Sequence, residues 1–341
     1  MSISKRKFGV LPDGREVYCF SLKNSKGMSV DILNFGGIIR SVVVPVKNNN
    51  FLDVVLGYDT IDGYLVNDEN LGATVGRLVG PVPDCLLEIG DKKYRLQPSN
   101  PEGGHMHGGK KGFGRSLWNA ESLSEPDRDS IILTLNSPDG DDSYPGEIDA
   151  RIVYSLTNDC ELEIEYYAEA DRDTVFNPTN HSYFNLAGHD SGHIGPQIIS
   201  VFNRAVTVDG KVIPVYGTPL DLNEPQTFSS KFSCGHEYLS NGFDNFHLLS
   251  GNGFREVMFA RDPKSGCKVQ VFTDCTAAIV YSGNYLNNVK GKGGAIYDRQ
   301  NGFCFETCYV SDDVRFNPSH ARIVGPGKPF SSSTTYKFSI E

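Results

Sequence analysis

The chain has 341 residues with a formal net charge of −10, and 39% of its residues are hydrophobic. An acidic surface repels a phosphate backbone, so we expect no nucleic-acid partner. Glycine (36), proline (18), tyrosine (16) and phenylalanine (20) far outnumber the four methionines. This balance of turn formers and aromatic residues predicts many short strands joined by tight loops, and it excludes an all-α protein.

The beginning of the chain bears on its location. The first ten residues are charged but are not followed by an apolar segment, so they do not resemble a signal peptide. The eight cysteines are therefore expected to be reduced thiols. No run approaches the roughly 18 apolar residues that a membrane-spanning helix needs. These features predict a cytoplasmic protein without a membrane partner, and they leave the oligomeric state open.

Alternating or β-branched runs bounded by turn residues recur along the whole chain. They occupy residues 17–22, 29–35, 38–46, 93–96, 131–135, 151–156, 161–168, 269–273, 277–281 and 303–307. The polar residues 157–160 separate two of these runs, which predicts a hairpin. The segment that most nearly keeps the 3.6-residue apolar period of a helix is 54–65, but Gly57 and Gly63 interrupt it. We predict an all-β fold, a single domain over 1–341 with antiparallel sheets packed face to face.

The loops between these runs are rich in His, Asn, Asp and Gly. The densest are residues 105–109, 137–146, 177–185 and 242–245. Loops on a rigid β scaffold commonly carry the binding and catalytic groups. We therefore expect the functional residues to lie in these loops.

Several pairs of ligand-type residues raise the question of a metal. The pairs are His105 with His107, His189 with His193, and Cys304 with Cys308. None has a third and fourth ligand close in the sequence, and four residues along a strand separate the two cysteines by about 13 Å. No metal site is predicted.

Two residues are candidates for chemistry by side chains alone. His181 lies in a loop segment that reads Asn-Pro-Thr-Asn-His-Ser-Tyr-Phe-Asn, and Glu306 lies within an otherwise apolar strand. A carboxylate in such a strand either faces a polar cleft or has a raised pKa. The alternative is that Glu306 is a solvent-side strand residue and His181 a hydrogen-bonded loop histidine. The residues themselves leave both interpretations open.

Ten segments, in order, resemble the galactose mutarotase (aldose 1-epimerase) family over nearly the whole chain. They are residues 34–37, 53–57, 72–77, 107–109 with 112–113 and 118, 139–140 with 144–146, 177–188, 242–244, 281–286, 302–307 and 326–327. The resemblance implies a large antiparallel β-sandwich of the supersandwich type, with an open cleft for a free hexose and no cofactor. It also implies that the protein is an isomerase that interconverts the α and β anomers of an aldose.

The resemblance assigns roles to four residues. The proton donor of the family corresponds to His181 and its base to Glu306, while the sugar-binding His and Asp correspond to His107 and Asp244. A carboxylate and an imidazole can exchange a proton near neutral pH, which suits opening and closing of a sugar ring.

Part of the family's sugar-binding pattern is absent. Gly80 and Pro81 stand where the family has an Asn-Arg pair, and Ile279 stands where it commonly has Gln. Three hypotheses remain open: an active mutarotase, an enzyme with altered sugar specificity, and a non-catalytic carbohydrate-binding protein on the same scaffold. Whether Arg77 replaces the lost ligands is also open.

Overall fold

A computed structural model describes residues 1–100, 102–239, 241–310 and 322–341. Within these ranges the chain is mostly strands, with two short helices, α1 (Ile61–Val66) and α2 (Phe228–Phe232). The apolar period around 54–65 gives only a helix of six residues, which begins after Gly57 and contains Gly63, a poor helix former. Neither described helix has the length and apolarity that crossing a membrane would require.

The strands in the described residues are numbered in chain order. The first ten are β1 (Ser2–Val10), β2 (Glu16–Lys23), β3 (Ser29–Leu33), β4 (Ile39–Val46), β5 (Asn50–Asp53), β6 (Thr74–Val75), β7 (Pro81–Val82), β8 (Leu86–Ile89), β9 (Lys92–Arg95) and β10 (His105–Met106). The next ten are β11 (Asn119–Ser124), β12 (Arg128–Ser137), β13 (Ile148–Thr157), β14 (Glu161–Ala170), β15 (Thr174–Val175), β16 (Thr179–Asn180), β17 (Ile198–Val201), β18 (Asn203–Val208), β19 (Lys211–Pro214) and β20 (Gln226–Thr227). The last nine are β21 (Asp244–Leu249), β22 (Arg255–Arg261), β23 (Cys267–Thr273), β24 (Ala277–Tyr281), β25 (Val289–Lys290), β26 (Ile296–Tyr297), β27 (Cys304–Cys308), β28 (Ile323–Val324) and β29 (Phe330–Ile340).

Three larger sheets organise the described part of the chain. The largest has nine strands in the order β11-β12-β13-β14-β29-β23-β22-β17-β20. Two five-stranded sheets have the orders β1-β2-β3-β4-β5 and β19-β18-β21-β24-β27. Neighbouring strands are antiparallel throughout these three sheets. The all-β, antiparallel prediction is confirmed, and the predicted hairpin is β13–β14.

One continuous apolar core joins the nine-stranded sheet to both five-stranded sheets. It includes Ile152 of the large sheet, Val44 of the first five-stranded sheet and Val280 of the second. Side chains alternate between the two faces of a strand, so each sheet contributes every second residue to this core. The packing of sheet against sheet is that of a β-sandwich.

The strands β24 and β27 are buried on both faces. Val280 and Phe305 point into the main core, whereas Ile279 and Cys304 belong to a separate apolar cluster on the opposite face. All five residues of β27 are buried. The apolar alternation around Glu306 therefore does not expose this carboxyl to bulk solvent, because its side of the sheet is covered by other parts of the chain.

Arg77 is a structural residue. Its side chain is 2% exposed, and its guanidinium donates to the carbonyl oxygens of Ser137, Pro138, Pro145 and Gly146 at 2.8–3.1 Å. Burial lowers its pKa to about 10. These bonds occupy the guanidinium in joining the segment around Arg77 to the loop 137–146, so it does not replace the sugar ligands lost at positions 80 and 81.

We expect Arg77→Met to lower the free energy of unfolding by about 2–4 kcal/mol, because four buried carbonyl groups lose their donors. Urea unfolding followed by circular dichroism measures this change. Arg15→Met is the matched control, since Arg15 is exposed and pairs with exposed Asp13. Equal stability of the two variants would contradict the structural role of Arg77.

Candidate active site

A cavity of about 1090 Å³ contains all four residues that the sequence singled out. His107, His181, Asp244 and Glu306 line it together, although about 200 positions separate the first from the last. The cavity lies over the face of the β21-β24-β27 sheet that points away from the main core. The geometry thus unites the predicted residues in one place.

Strand register explains how residues distant in sequence meet. On this face, antiparallel pairing aligns two rows of side chains across β27, β24 and β21. The rows are Glu306, Ile279 and Phe246, then Cys304, Tyr281 and Asp244. Because residues two apart share a face, Glu306 and Cys304 both point toward the same side of β27.

His181 is held above this face by its backbone. It directly follows β16, which pairs with β6. Its N–H donates to the carbonyl oxygen of Ala73 at 2.8 Å, and its own carbonyl oxygen accepts from the N–H of Gly72 at 3.0 Å. The Asn180 amide also donates to the Gly72 carbonyl oxygen at 2.9 Å. The backbone at His181 is therefore fixed on both sides, which leaves little freedom in where the imidazole projects.

The imidazole of His181 and the carboxyl of Glu306 form the central contact. Nε2 of His181 lies 3.6 Å from Oε1 of Glu306, and their side chains are only 6% and 1% exposed. Burial, followed by repulsion from the His107 imidazole, lowers the pKa of His181 to about 3. Burial, with a smaller contribution from the Asp244 carboxylate, raises the pKa of Glu306 well above its usual range. Both shifts favour the uncharged forms, a neutral imidazole beside a protonated carboxyl.

His107 stands next to this pair, with its ring perpendicular to that of His181 and their centroids 5.3 Å apart. The N–H of Gly80 donates to its Nδ1 at 3.2 Å. The neutral ring consequently carries its hydrogen on Nε2, which makes it a donor for a ligand hydroxyl. The ring is only partly shielded from solvent, yet desolvation by the surrounding protein lowers its pKa to about 4.

The loop that carries His107 requires a glycine. His107 has a left-handed backbone with φ of 51°, and Gly108 follows it with φ of 89°. A Cβ atom on Gly108 would lie 1.7 Å from the carbonyl oxygen of Gly76. Close approach of the two backbones therefore excludes any side chain at position 108 and fixes the path of the loop.

Asp244 is the first residue of β21, and its side chain is exposed to the cavity. The protein that encloses the cavity desolvates the carboxyl and raises its pKa to about 6. Above that pH it is a carboxylate, which can accept two hydroxyl hydrogen bonds from a ligand.

The positions that depart from the family pattern also lie in the cavity wall. Gly80, Pro81 and Ile279 all line it. Ile279 is the direct cross-strand neighbour of Glu306, so an apolar side chain contributes to the desolvation of that carboxyl. Gly80 has φ of 77°, and a Cβ there would lie 2.8 Å from the ring of Phe246. A side chain at position 80 would have to displace that ring.

The sequence prediction missed Cys304. Its sulfur lies 3.6 Å from Nδ1 of His181, whereas Glu306 is nearest to Nε2. Ligand atoms of His181, Cys304 and Glu306 all lie within 4.8 Å of one another, so a soft cation such as Zn²⁺ could be held there. Such a cation would bind the same imidazole and carboxyl groups that form the contact between His181 and Glu306. The alternation along β27 places Cys304 and Glu306 on one face, which was the available signal.

The histidine pairs considered from the sequence are engaged by other groups. His105 is buried, with Nδ1 2.8 Å from the Gln97 carbonyl oxygen and Nε2 2.7 Å from the Tyr144 hydroxyl. His189 and His193 contact Tyr297 and Gln300, respectively, at 3.0 Å. These contacts give His105 a structural role, in contrast to His107 two residues later.

Comparison with known proteins identifies the family. Residues 18–337 match the family profile described as aldose 1-epimerase. The galactose mutarotase of Mus musculus is 34% identical over 350 residues, which cover 100% of this chain and 99% of the mouse protein. The chain belongs to the aldose 1-epimerase family.

Further relatives agree with this family membership. The aldose 1-epimerase of Escherichia coli (strain K12) is 28% identical over 345 residues, covering 97% of each chain. The crystal structure of a galactose 1-epimerase from Lactobacillus acidophilus NCFM superposes with a TM-score of 0.84 and covers 99% of each chain at 24% identity. The latter shows the shared fold. All four cavity residues lie inside the stretch that matches the family profile.

We expect NMR titration to show that both cavity histidines stay uncharged in mildly acidic solution. Their midpoints should lie near 3 for His181 and near 4 for His107. His107→Gln should raise the midpoint of His181, because the neighbouring imidazole contributes to its low pKa. A midpoint near the ordinary histidine value, about 6.5, for either ring would contradict the desolvated site.

Proposed function

We propose that this protein is an aldose 1-epimerase (mutarotase) that interconverts the α and β anomers of a free hexose such as galactose or glucose. The observation that carries the proposal is the 3.6 Å contact between His181 and Glu306 inside the cavity. The mouse and E. coli relatives, which match almost over their full lengths, are named for the same reaction. The expected class is therefore an isomerase with an aldose as its partner.

Ring opening needs one proton removed and one delivered. The proton held by Glu306 in the free site first passes to Nε2 of His181, which gives an imidazolium beside a carboxylate. Glu306 then takes the proton of the C1 hydroxyl, while the imidazolium of His181 gives a proton to the ring oxygen. The bond between C1 and the ring oxygen breaks, and an open-chain aldehyde remains. After C1 rotates, the aldehyde recloses on its other face as the two groups return the protons. Atoms and charges balance without a covalent intermediate or a cofactor.

The pKa shifts suit this exchange. Before the ring opens, the pair consists of the His181 imidazolium and the Glu306 carboxylate. After it opens, the pair consists of a neutral imidazole and a protonated carboxyl. Both forms hold the same number of protons, so no proton has to enter from solvent. Burial makes the Glu306 carboxylate a stronger base and the His181 imidazolium a stronger acid than in water. Both groups are thereby driven toward the proton transfers that open the ring.

The rest of the sugar has to be held while C1 turns. His107 can donate to a hydroxyl through Nε2, and Asp244 can accept from two hydroxyls as a carboxylate. Each hydrogen bond to a charged group is worth about 1.5–3 kcal/mol. A cavity of about 1090 Å³ leaves space for the open chain to rotate.

The cavity wall at Gly80, Pro81 and Ile279 offers fewer polar groups than the family pattern. An altered sugar preference within the same reaction is the expected consequence. The alternative, a non-catalytic carbohydrate-binding protein on this scaffold, has no observation in its favour, since the acid and the base are both present and in contact.

We also propose that residues 1–341 act as a single domain, because one apolar core draws side chains from Phe20 to Phe338. A cytoplasmic location is proposed as well. All eight cysteines are free thiols, and seven of them are buried, which suits a reducing compartment.

We expect His181→Ala and Glu306→Gln each to lower kcat for mutarotation by about 10²–10⁴-fold, since each removes one half of the acid/base pair. Optical rotation of freshly dissolved α-galactose or α-glucose, with and without protein, measures the rate. Glu125→Gln is an exposed control, away from the cavity lining, that should keep full activity. Wild-type protein that gives no acceleration with any common aldose would overturn the proposed function.

We expect kcat/KM to fall as the pH drops through about 6, because protonation of Asp244 removes a charged acceptor for the sugar hydroxyls. Its pKa is raised in the folded protein, so the carboxylate exists only above that value. Polarimetric initial rates at several sugar concentrations separate KM from kcat. Asp244→Asn should have a high KM at every pH and no step near 6. The same step in this variant would show that another group titrates.

A further inference from the structure

The two ring nitrogens of His181 face different partners. Nε2 lies 3.6 Å from Oε1 of Glu306, and Nδ1 lies 3.6 Å from the sulfur of Cys304. Cys304 is fully buried, and burial keeps the pKa of its thiol well above its usual range. The group in contact with Nδ1 is therefore a neutral thiol, not a thiolate or a carboxylate.

The proposed reaction, on which this inference rests, uses only one of these nitrogens. His181 gives its proton to the ring oxygen from Nε2 and takes it back at Nε2, the nitrogen on the Glu306 side. In the charged form both nitrogens carry hydrogen. In the neutral form Nε2 must be free to accept, so the remaining hydrogen has to stay on Nδ1. The tautomer of a neutral histidine is set by the partner of its other nitrogen.

We propose that Cys304 is the positioning residue that fixes this tautomer. Its sulfur accepts the Nδ1–H of His181 in both protonation states, so the travelling proton is confined to Nε2. The backbone bonds at His181 limit where the ring can go, and the thiol on β27 sets the rotation of the ring within that limit. Glu306, two residues along the same strand face, then meets Nε2.

A sulfur acceptor also suits the acid role. A carboxylate behind an imidazole stabilises the imidazolium through a charge-assisted hydrogen bond and so weakens it as an acid. Thiol sulfur is a weak and uncharged acceptor. It can hold the ring without lowering the acidity that is needed to protonate a poorly basic ring oxygen.

The tautomer can be read directly in the wild-type protein. Two-dimensional NMR of protein with ¹⁵N-labelled histidine, in buffer with EDTA to remove cations from the His181–Cys304–Glu306 cluster, distinguishes the two neutral forms. We expect Nδ1 of His181 to carry the hydrogen and Nε2 to be bare. A neutral ring with hydrogen on Nε2 would overturn the proposal, and this measurement needs no turnover.

Variants test the consequence for catalysis. We expect Cys304→Ala to lower kcat roughly ten- to hundredfold, the range found when a partner that orients a metal-bound histidine is removed, with KM within about twofold. The signal of the Nδ1–H tautomer should weaken in parallel. Cys304→Ser should restore both, because its hydroxyl oxygen accepts the same hydrogen bond.

Cys308→Ala is the matched control. Cys308 is equally buried on the same face of β27, two residues beyond Glu306, so its replacement loses the same volume without touching Nδ1. It should keep the wild-type kcat.

Unchanged kcat in Cys304→Ala, or an equal loss in Cys308→Ala, would overturn the proposal. If Cys304→Ala does not fold, the wild-type NMR result decides. Absence of mutarotation by the wild type would refute the proposed function instead.

Discussion

The structure depends on keeping an imidazole and a carboxyl in contact where water is scarce. In water the carboxyl would be ionised throughout the neutral range, the imidazole would be charged only below about pH 6.5, and their attraction would be weak. Inside the cavity, burial opposes each charge and lets a single proton belong to the pair. The same desolvation that costs stability makes His181 a strong acid and Glu306 a strong base. In the proposed mechanism one transfer within the pair charges both groups, and the remaining transfers run between the pair and the sugar.

The sandwich provides this environment through two-sided burial of its strands. One face of β24 and β27 packs in the main core, which fixes the positions of these strands. The other face carries Glu306 and its neighbours. The loops bring His181 and His107 over that face and are themselves fixed by backbone bonds. Arg77, which binds four carbonyl groups, stabilises loops outside the cavity wall. Rigidity of the site thus arises from groups that never contact the sugar.

The amino-acid pattern predicts the hairpin β13–β14 and strands such as β2, β4 and β12, because apolar alternation over several residues has a clear period. It missed β29, with eleven residues, because that strand carries a run of Ser and Thr, and β1, with nine, because that strand has no fully buried residue. Strands of two residues, such as β6 and β16, have no period and could not be predicted. The residues themselves also left open whether Glu306 faces solvent, since alternation identifies two faces without saying what covers them. The roles proposed for His107, His181, Asp244 and Glu306 came from the family resemblance. Alternation along β27 places Cys304 on the same face as Glu306, but its contact with Nδ1 of His181 depends on the conformation of a loop more than 100 positions away.

The most direct test of this account is the protonation of Glu306 in the free protein at neutral pH. An infrared difference spectrum between the wild type and Glu306→Gln isolates the carboxyl band of this one residue. The account predicts the carbonyl stretch of a protonated carboxyl, shifted in D₂O, because burial opposes the charge. A pair of carboxylate bands in its place would show that Glu306 is ionised in the free protein, and would contradict the desolvated, proton-sharing pair.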